Sequence, residues 1–370
     1  MNPSSLTAIA LQRTTKKVRA TLPPQKVKNR MEHLELLPLN EYNRILIAFS
    51  GGKDSLACLL YLLSIGVPAS KIELWHHSID GHDSPTVGEK ANPLMDWNCT
   101  PDYCRAIAEH FNIPIYFSWK SGGFKKEMLR DQDPTAATYF ETPRNGVKSS
   151  GGNSPKKGTR LKFPMPSADL KARWCSAYLK IDVMTTAIRN QPRFENTETL
   201  VITGERAEES AARAKYKVVE VHRSDARAGR KGRYVDQWRP VLKWSEAEVW
   251  KIIEEYRINP HPAYRLGWGR VSCMTCIFGS SKMWASVGAI APEKLSAITE
   301  YEKQFDSTVK APNKNGSRQN TTEIAMSSRP YPNMKQSDID AALSTEWSEP
   351  IELEHWTLPA GAFGDSAGSI

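Results

Sequence analysis

The sequence predicts an open, doubly wound α/β fold with a mostly parallel sheet, and three observations carry that expectation. Short apolar runs alternate with helix-periodic segments between residues 44 and 256. A glycine-rich turn, Ser50-Gly51-Gly52-Lys53-Asp54-Ser55, joins the first apolar run to the first helical one. A second glycine, Gly204, ends a later run. Ligands of such sheets bind beyond the carboxyl ends of the strands, which is where both turns fall.

The first strand is expected at Arg44–Phe49, where Ile45-Leu46-Ile47-Ala48-Phe49 forms the unbroken apolar run of a strand covered on both faces. A helix over about Asp54–Ile65 follows, with Leu56, Leu59, Leu60 and Leu63 on one stripe. Then come a strand at Ile72–His77, a helix at Asp102–Phe111 and a strand at Ile113–Trp119. Residues 131–170 are rich in Pro, Gly, Ser and Lys and read as a loop insertion. A helix at Cys175–Arg189 leads to a strand at Thr199–Thr203. Ser245-Glu246-Ala247-Glu248 is a capping box that opens a helix reaching Tyr256. Pro292–Phe305 reads as a helix and the polar remainder as a peripheral appendage. The chain thus divides into a basic flexible arm (1–30), a main domain (31–290) and a C-terminal helical extension (291–370).

Hydrophobic content of 40% and charged content of 25% are those of a globular chain. No apolar stretch approaches the roughly 20 residues that span a membrane, so no membrane partner is expected. The N-terminus carries no apolar core of secretory type, which makes the cytoplasm the expected location. Six cysteines in 370 residues do not make a disulfide framework, and some are available to a metal. The net charge of +9 is concentrated in three places. The first 30 residues hold seven Lys and Arg and no acid; a second group spans Lys148–Lys162; a third spans Arg223–Arg233. Such segments attract polyanions, with solvated loops as the alternative for any one of them.

The turn at Ser50–Ser55 suits a phosphate. A helix start offers N–H groups without intrahelical partners and a partial positive charge. Gly51 and Gly52 allow close backbone approach, Lys53 adds charge, Ser50 and Ser55 add hydroxyls, and Asp54 can hold Mg²⁺. The spacing is not that of Walker A. It resembles the SGGKDS signature of the PP-loop ATP pyrophosphatases, which split ATP between its α and β phosphates. After Gly204 come Arg206, Glu209 and Arg213. The arginines can fork onto phosphate, with Glu209 orienting one of them. Taken alone, a surface helix with i,i+4 ion pairs is the better explanation of this segment, and the PP-loop beside it reverses that preference.

The resemblance extends further. The pattern Gly204-x-Arg206-x-x-Glu209-Ser210-x-x-Arg213 is similar to that of the phosphoadenosine phosphosulfate (PAPS) reductase family. So are Trp238-Arg239-Pro240-Val241, His261-Pro262-Ala263-Tyr264, Gly267, Arg270 and Cys273-x-x-Cys276, in that order. This resemblance, covering about residues 44–280, implies a Rossmann-like, adenine nucleotide alpha hydrolase-like fold. It also implies an adenine nucleotide bound across the PP-loop and the Gly204 loop. Lys53, Asp54 and Arg206 are then the expected catalytic residues. Ser50, Gly51, Gly52, Ser55, Asp80, Gly204, Glu209 and Arg213 join Lys53, Asp54 and Arg206 around the nucleotide.

The chain departs from the reductases in two ways. It has no cysteine after Cys276, so the family's C-terminal nucleophile is missing, and its PP-loop is intact. Both departures point to ATP cleavage rather than sulfonate reduction. The DNA phosphorothioation ATP pyrophosphatases are similar in these respects. That similarity implies DNA as partner, a cysteine desulfurase as sulfur donor, and sibling modification subunits. A PAPS or adenylyl-sulfate reductase and a nucleotide-gated DNA-binding subunit are the alternatives.

Arg173-Trp174-Cys175 is similar to the stretch that, in iron–sulfur members, joins the later Cys-x-x-Cys on a [4Fe–4S] cluster. The resemblance therefore implies Cys175, Cys273 and Cys276 as metal ligands, one thiolate short of four. Cys99 or Cys104 as a fourth ligand, zinc, and three buried thiols stay open. Cys58 reads as core. His76, His77 and His82 beside Asp80 and Asp83 suggest a metal site less strongly than a turn lining the substrate. His261 reads as support for the loop under the cysteine pair, and most of the tryptophans as core.

Overall fold

Ile45-Leu46-Ile47 builds the centre of the sheet, buried on both faces as its unbroken apolar run requires. The computed structural model describes residues 35–364 except 92, 272, 313 and 314. The basic arm expected at 1–30 lies outside the described residues. Eight strands form one sheet: β1 Arg44–Ala48, β2 Ile72–Ser78, β3 Ile115–Lys120, β4 Thr138–Thr142, β5 Gly146–Ser150, β6 Glu198–Ile202, β7 Val219–Val221 and β8 Tyr234–Trp238. Their spatial order is β5-β4-β3-β2-β1-β6-β8-β7. The five central strands are parallel, while β4, β5 and β7 run antiparallel at the edges.

The chain moves outward through β1, β2 and β3 and returns on the other side of β1 to place β6 and β8. The order therefore reverses between β1 and β6, and their carboxyl ends frame a crevice of the kind that holds ligands in open α/β sheets. One face of the sheet is covered by α1 (Lys53–Ser64), α2 (Thr100–His110) and α5 (Glu246–Glu255), through Leu56, Leu59, Leu60, Ile107 and Ile253. Each such buried aliphatic side chain contributes about 1.5–3 kcal/mol. The other face packs on α4 (Asp182–Arg189) through Leu46, Trp75, Met184, Ile188 and Val201. The helix expected at Cys175–Arg189 is a turn at Trp174–Ser176, a π turn at Ala177–Ile181 and then α4. The predicted capping box is present: Ser245 Oγ accepts the Glu248 N–H while Glu248 accepts the Ser245 N–H.

Two expectations need correction. The insertion at 131–170 is not all loop, because β4 and β5 form a hairpin that extends the sheet. These strands are at the edge, so they carry little of the apolar patterning that betrays a buried strand. The C-terminal helices expected after 290 are present, but they pack into a shared core instead of lying at the periphery. Three shorter or earlier helices are α3 (Gly123–Met128), α6 (Pro262–Arg265) and α7 (Ser281–Ile290); the segment after 290 supplies α8 (Pro292–Gln304), α9 (Thr321–Met326) and α10 (Gln336–Leu343). Leu295, Ile298, Ile324, Tyr331 and Ala342 share a second core with Trp97, Phe124, Trp174, Trp268 and Trp284. Further along, Ile351, Trp347 and Trp356 pack against the core between the sheet and α1.

Candidate functional site at the sheet switch point

Ser50 to Ser55 turn from β1 into α1 at the crevice. Gly51 has φ +76°, a left-handed value, and a Cβ there would stand 3.1 Å from Cys104 Sγ. A Cβ on Gly52 would lie 3.2 Å from the Val271 carbonyl oxygen. Both serines brace the turn. Ser55 Oγ accepts the Ser50 N–H at 3.3 Å and donates to the Gly52 carbonyl at 2.9 Å, and Ser50 Oγ accepts the Gly52 N–H at 3.4 Å. The turn is thereby fixed as the start of a 12-residue helix, whose first N–H groups suit an anion.

The loop after β6 comes down directly on this helix start. A Cβ on Gly204 would lie 2.9 Å from the Asp54 carbonyl carbon and oxygen and 3.0 Å from the Ser55 nitrogen. Gly204 is thus the contact that lets two backbones meet. Arg206, two residues on, reaches across the crevice and donates from Nε to Asp54 Oδ1 at 2.6 Å. Its Nη1 pairs with Glu208, and Nη2 lies 4.0 Å from Glu246 at the start of α5. Glu209 accepts the Arg206 N–H at 2.9 Å and pairs with Arg213. Glu209 thus holds the Arg206 backbone and the Arg213 side chain in one arrangement.

Lys53 points inward. Its side chain is 3% exposed; its Nζ donates to the Gly269 carbonyl at 3.1 Å and lies 3.5 Å from Asp54 and 3.6 Å from Glu246. Its backbone N–H donates to the Tyr264 hydroxyl at 2.8 Å, which also accepts the Val271 N–H at 3.3 Å. Lys53, Asp54, Arg206 and Glu246 therefore form one network of two cations and two anions. Burial works against the Asp54 carboxylate, but Lys53 and Arg206 overcome it and hold the carboxyl below its usual range. Burial likewise opposes the Lys53 charge, and Asp54, Tyr264 and Glu246 raise its pKa in spite of it. Both oxygens of Asp54 face cations, so Mg²⁺ at this carboxylate would have to exchange with Arg206 or Lys53.

Glu246, Glu208 and the Tyr264 hydroxyl were not among the expected site residues. The capping box gave Glu248 a role and left Glu246 looking like an ordinary first-turn acid. No spacing in the sequence links residue 53 to residues 246 and 264.

Asp80 lies just beyond β2 and is buried, with its partners on the 95–96 segment rather than in the Lys53–Asp54–Arg206 network. Its Oδ2 accepts the N–H groups of Met95 at 3.0 Å and Asp96 at 2.7 Å, and its Oδ1 is buried without a partner. Burial raises this carboxyl to about 6, against the two N–H donors. The neighbouring histidines are held neutral by burial: His76 and His77 at about 3 and His82 at about 4. His82 stacks on Phe117 and His76 Nδ1 bonds the Phe49 carbonyl, which are packing roles. His261 does not serve the cysteine pair directly. Its Nδ1 accepts the Ala263 N–H at the start of α6, so Nε2 carries the proton toward Thr100 and Cys99.

The three cysteines expected as ligands come near one another, since Cys273 senses both Cys175 and Cys276. Among the described residues, however, no group of three or more His, Cys, Asp and Glu is arranged to hold a metal. Burial pushes Cys175 up to about 11 and Cys273 well above the usual thiol range. Cys99 is engaged with His261, and Cys104 lies in the core beneath Gly51. Neither supplies a fourth ligand, so the donor set does not fit a [4Fe–4S] cluster in this arrangement. Cys58 is core, as are Trp250, Trp268 and Trp284. No described helix is long and apolar enough to cross a membrane.

Over 272 residues the chain is 32% identical to an uncharacterized 37.8 kDa protein of the gpa 5' region of Escherichia phage 186, covering 70% of this chain and 74% of that one. Over 75 residues it is 33% identical to the adenosine 5'-phosphosulfate reductase of Neisseria meningitidis serogroup A, covering 20% of this chain and 28% of the reductase. Among solved structures, the PAPS reductase of Candida auris in a phosphate complex aligns with 17% identity, 68% of this chain, 96% of that chain and a TM-score of 0.35. The FMN adenylyltransferase of Candida glabrata with FAD and pyrophosphate aligns with 11% identity, 72% of this chain, 69% of that chain and a TM-score of 0.34. Residues 44–278 match the phosphoadenosine phosphosulfate reductase domain, and the chain belongs to that family.

Proposed function

We propose that this protein is an ATP pyrophosphatase that activates an oxygen of a nucleic acid, DNA in the first instance, for replacement by sulfur. The observation that carries the reading is the intact Ser50–Ser55 turn at the β1/β6 switch point, with Asp54 joined to Arg206 from the opposite loop. An oxygen of the acceptor attacks the α-phosphorus of ATP, the bond to the bridging oxygen breaks, and pyrophosphate leaves. The outer sulfur of a persulfide then displaces AMP from the adenylylated acceptor, and a thiol reductant cleaves the remaining S–S bond to free the donor cysteine; a partner cysteine desulfurase would supply the persulfide, and sibling subunits would select the site.

In this reading the α1 start, with Gly51 and Gly52, receives the phosphates, and Ser50 and Ser55 hold the turn in shape. Arrival of the polyphosphate competes with Asp54 for Arg206 and Lys53. The two cations shift from a carboxylate to the charge that develops on the leaving pyrophosphate. Glu209, which holds the Arg206 backbone and the Arg213 side chain, would keep both arginines available to the nucleotide. Mg²⁺, brought with the nucleotide, would neutralise phosphate charge. The three thiols enter no step.

A reductase would need a reactive thiolate. Burial pushes five of the six cysteines, Cys58, Cys99, Cys104, Cys175 and Cys273, up and away from the thiolate form. The acceptor is tested by incubating ATP labelled at the α-phosphate with duplex DNA and no sulfur donor. Label that stays with the DNA through denaturing electrophoresis supports adenylylation of nucleic acid. ATP consumed with the DNA unlabelled would move the acceptor elsewhere.

A further inference from the structure

Fewer than half of the described Lys and Arg side chains form ion pairs, and the two basic segments among the described residues, around 148–162 and 223–233, differ in that respect. In the second of these Arg223 pairs with Asp182, Arg227 with Asp225 and Asp236, and Lys231 with Glu195. Arg233 is buried and donates to the Ser224 carbonyl. Four of the five cations there thus have a partner in the fold, and Arg230 is exposed with no ion pair among the described residues. The segment from 144 to 171 is the opposite case: it contains seven Lys and Arg and a single acid, Asp169. Arg144, Lys148, Lys156, Lys157, Lys162 and Lys171 are all exposed, and none has an ion-pair partner among the described residues.

The seventh cation is used as an anchor. Arg160 is held by Glu127 at 2.8 Å and lies over the rings of Trp174 at 4.6 Å and Tyr178 at 5.0 Å. Phe163 is buried against Phe124 and Phe305, and backbone bonds join Gly158 to Asp133, Arg160 to Arg130 and Met165 to Ala172. The six free cations are therefore presented from an ordered edge hairpin and a pinned loop, and fixing them on a ligand costs little backbone entropy. A lysine on β5 alone would be explained as protection of an open sheet edge. Lys156, Lys157, Lys162 and Lys171 lie beyond the strand and have no edge to protect.

We propose that this strip is a docking surface for the phosphodiester backbone of duplex DNA. The charge complementarity is that of a polyphosphate. The exposed large apolar side chains in the same loop are Leu161, Met165 and Leu170, with no exposed aromatic among them on which bases of a single strand would stack. The anchor residues Trp174 and Tyr178 belong to the second core, so the loop is pinned to the body of the fold. This inference rests on the nucleic-acid reading above and adds where the acceptor is held.

The test is fluorescence anisotropy of a labelled duplex as a function of salt. It compares the full chain with Lys156→Gln/Lys157→Gln/Lys162→Gln and with Lys251→Gln/Lys303→Gln/Lys335→Gln, which removes the same charge from elsewhere on the surface. Each phosphate contact contributes roughly 0.9 to the slope of log K against log salt, so the strip variant loses about 2 to 3 from the slope and the control does not. Equal slopes in all three proteins, or tighter binding of a single strand than of the duplex by the unsubstituted chain, would overturn the proposal. Thermal unfolding of each variant separates lost binding from lost folding. Duplex binding with the predicted slope loss but no ATP cleavage would leave the strip standing and remove the enzymatic reading; ATP cleavage without duplex affinity would do the reverse.

Discussion

Arg206→Ala tests the charged network at its centre. The substitution deletes the 2.6 Å contact to Asp54, the pair with Glu208, the 3.4 Å bond to the Trp244 carbonyl and the approach to Glu246. Asp54 and Glu246 are then left to share Lys53, at 3.5 and 3.6 Å. Removing one partner of a buried pair costs about 3–5 kcal/mol. Asp54 and Glu246 keep 19% and 16% of their side-chain surface exposed, so water recovers part of the loss and the lower figure, about 3 kcal/mol, applies. A domain of roughly 330 residues unfolds with about 0.7 kcal/mol per kelvin of entropy, which converts 3 kcal/mol into a fall in Tm of about 4 °C. The pH dependence gives an independent check. The folded state depresses the Asp54 pKa, so Asp54 contributes stability above its unfolded pKa of about 4 and loses it as pH falls through the folded value. The gap between wild type and Arg206→Ala in urea unfolding is therefore widest near neutrality and narrows below about pH 4. No gap at pH 7, or a gap constant from pH 7 to pH 3, would refute the network as described.

Other positions make sharper demands. Gly204→Ala sets a methyl group 2.9 Å from the Asp54 backbone, which has no flexible end to yield; a cost of about 1–3 kcal/mol and a 10- to 100-fold fall in pyrophosphate release are expected, and normal turnover would show that the two loops need not touch. Asp54→Ala should abolish pyrophosphate release with the circular dichroism of the native fold retained, and unchanged turnover would remove Asp54 from the mechanism. Asp80, raised by burial to about 6, stabilises the fold in its protonated form, so that contribution is present below its unfolded pKa and is lost as pH rises toward 6. Asp80→Asn should therefore gain on wild type by roughly 3 kcal/mol between pH 4 and pH 7, and a pH-independent difference would mean that Asp80 ionises freely.

What the sequence revealed and what it hid follow from burial. The central strands are covered on both faces, so β1, β2, β3 and β6 announced themselves as apolar runs, and the turn after β1 could be placed on its helix. β8 was missed although it is central. Its Asp236 is wholly buried, paired with Arg227 and the Tyr42 hydroxyl, and a charged residue in mid-strand breaks the apolar signal. β4 and β5 were missed because edge strands need little apolar surface. The C-terminal segment docks through scattered single residues, Trp347, Ile351 and Trp356, rather than through a periodic face. At the site, the two glycine turns were legible because their geometry is local. The inward course of Lys53 and the parts played by Glu246 and Tyr264 were not, because those contacts join residues about two hundred positions apart. The ligand set at Cys175, Cys273 and Cys276 rested on resemblance, and among the described residues the neighbouring thiols did not amount to a metal-holding arrangement.

The central claim is cleavage of ATP between its α and β phosphates. The most direct measurement is product analysis of ATP and Mg²⁺ with anaerobically purified protein, with and without duplex DNA. AMP and pyrophosphate in equal amounts, formed faster with DNA present, are the predicted result. ATP left intact while PAPS is converted to sulfite with thioredoxin as reductant would contradict the account and make this protein a reductase.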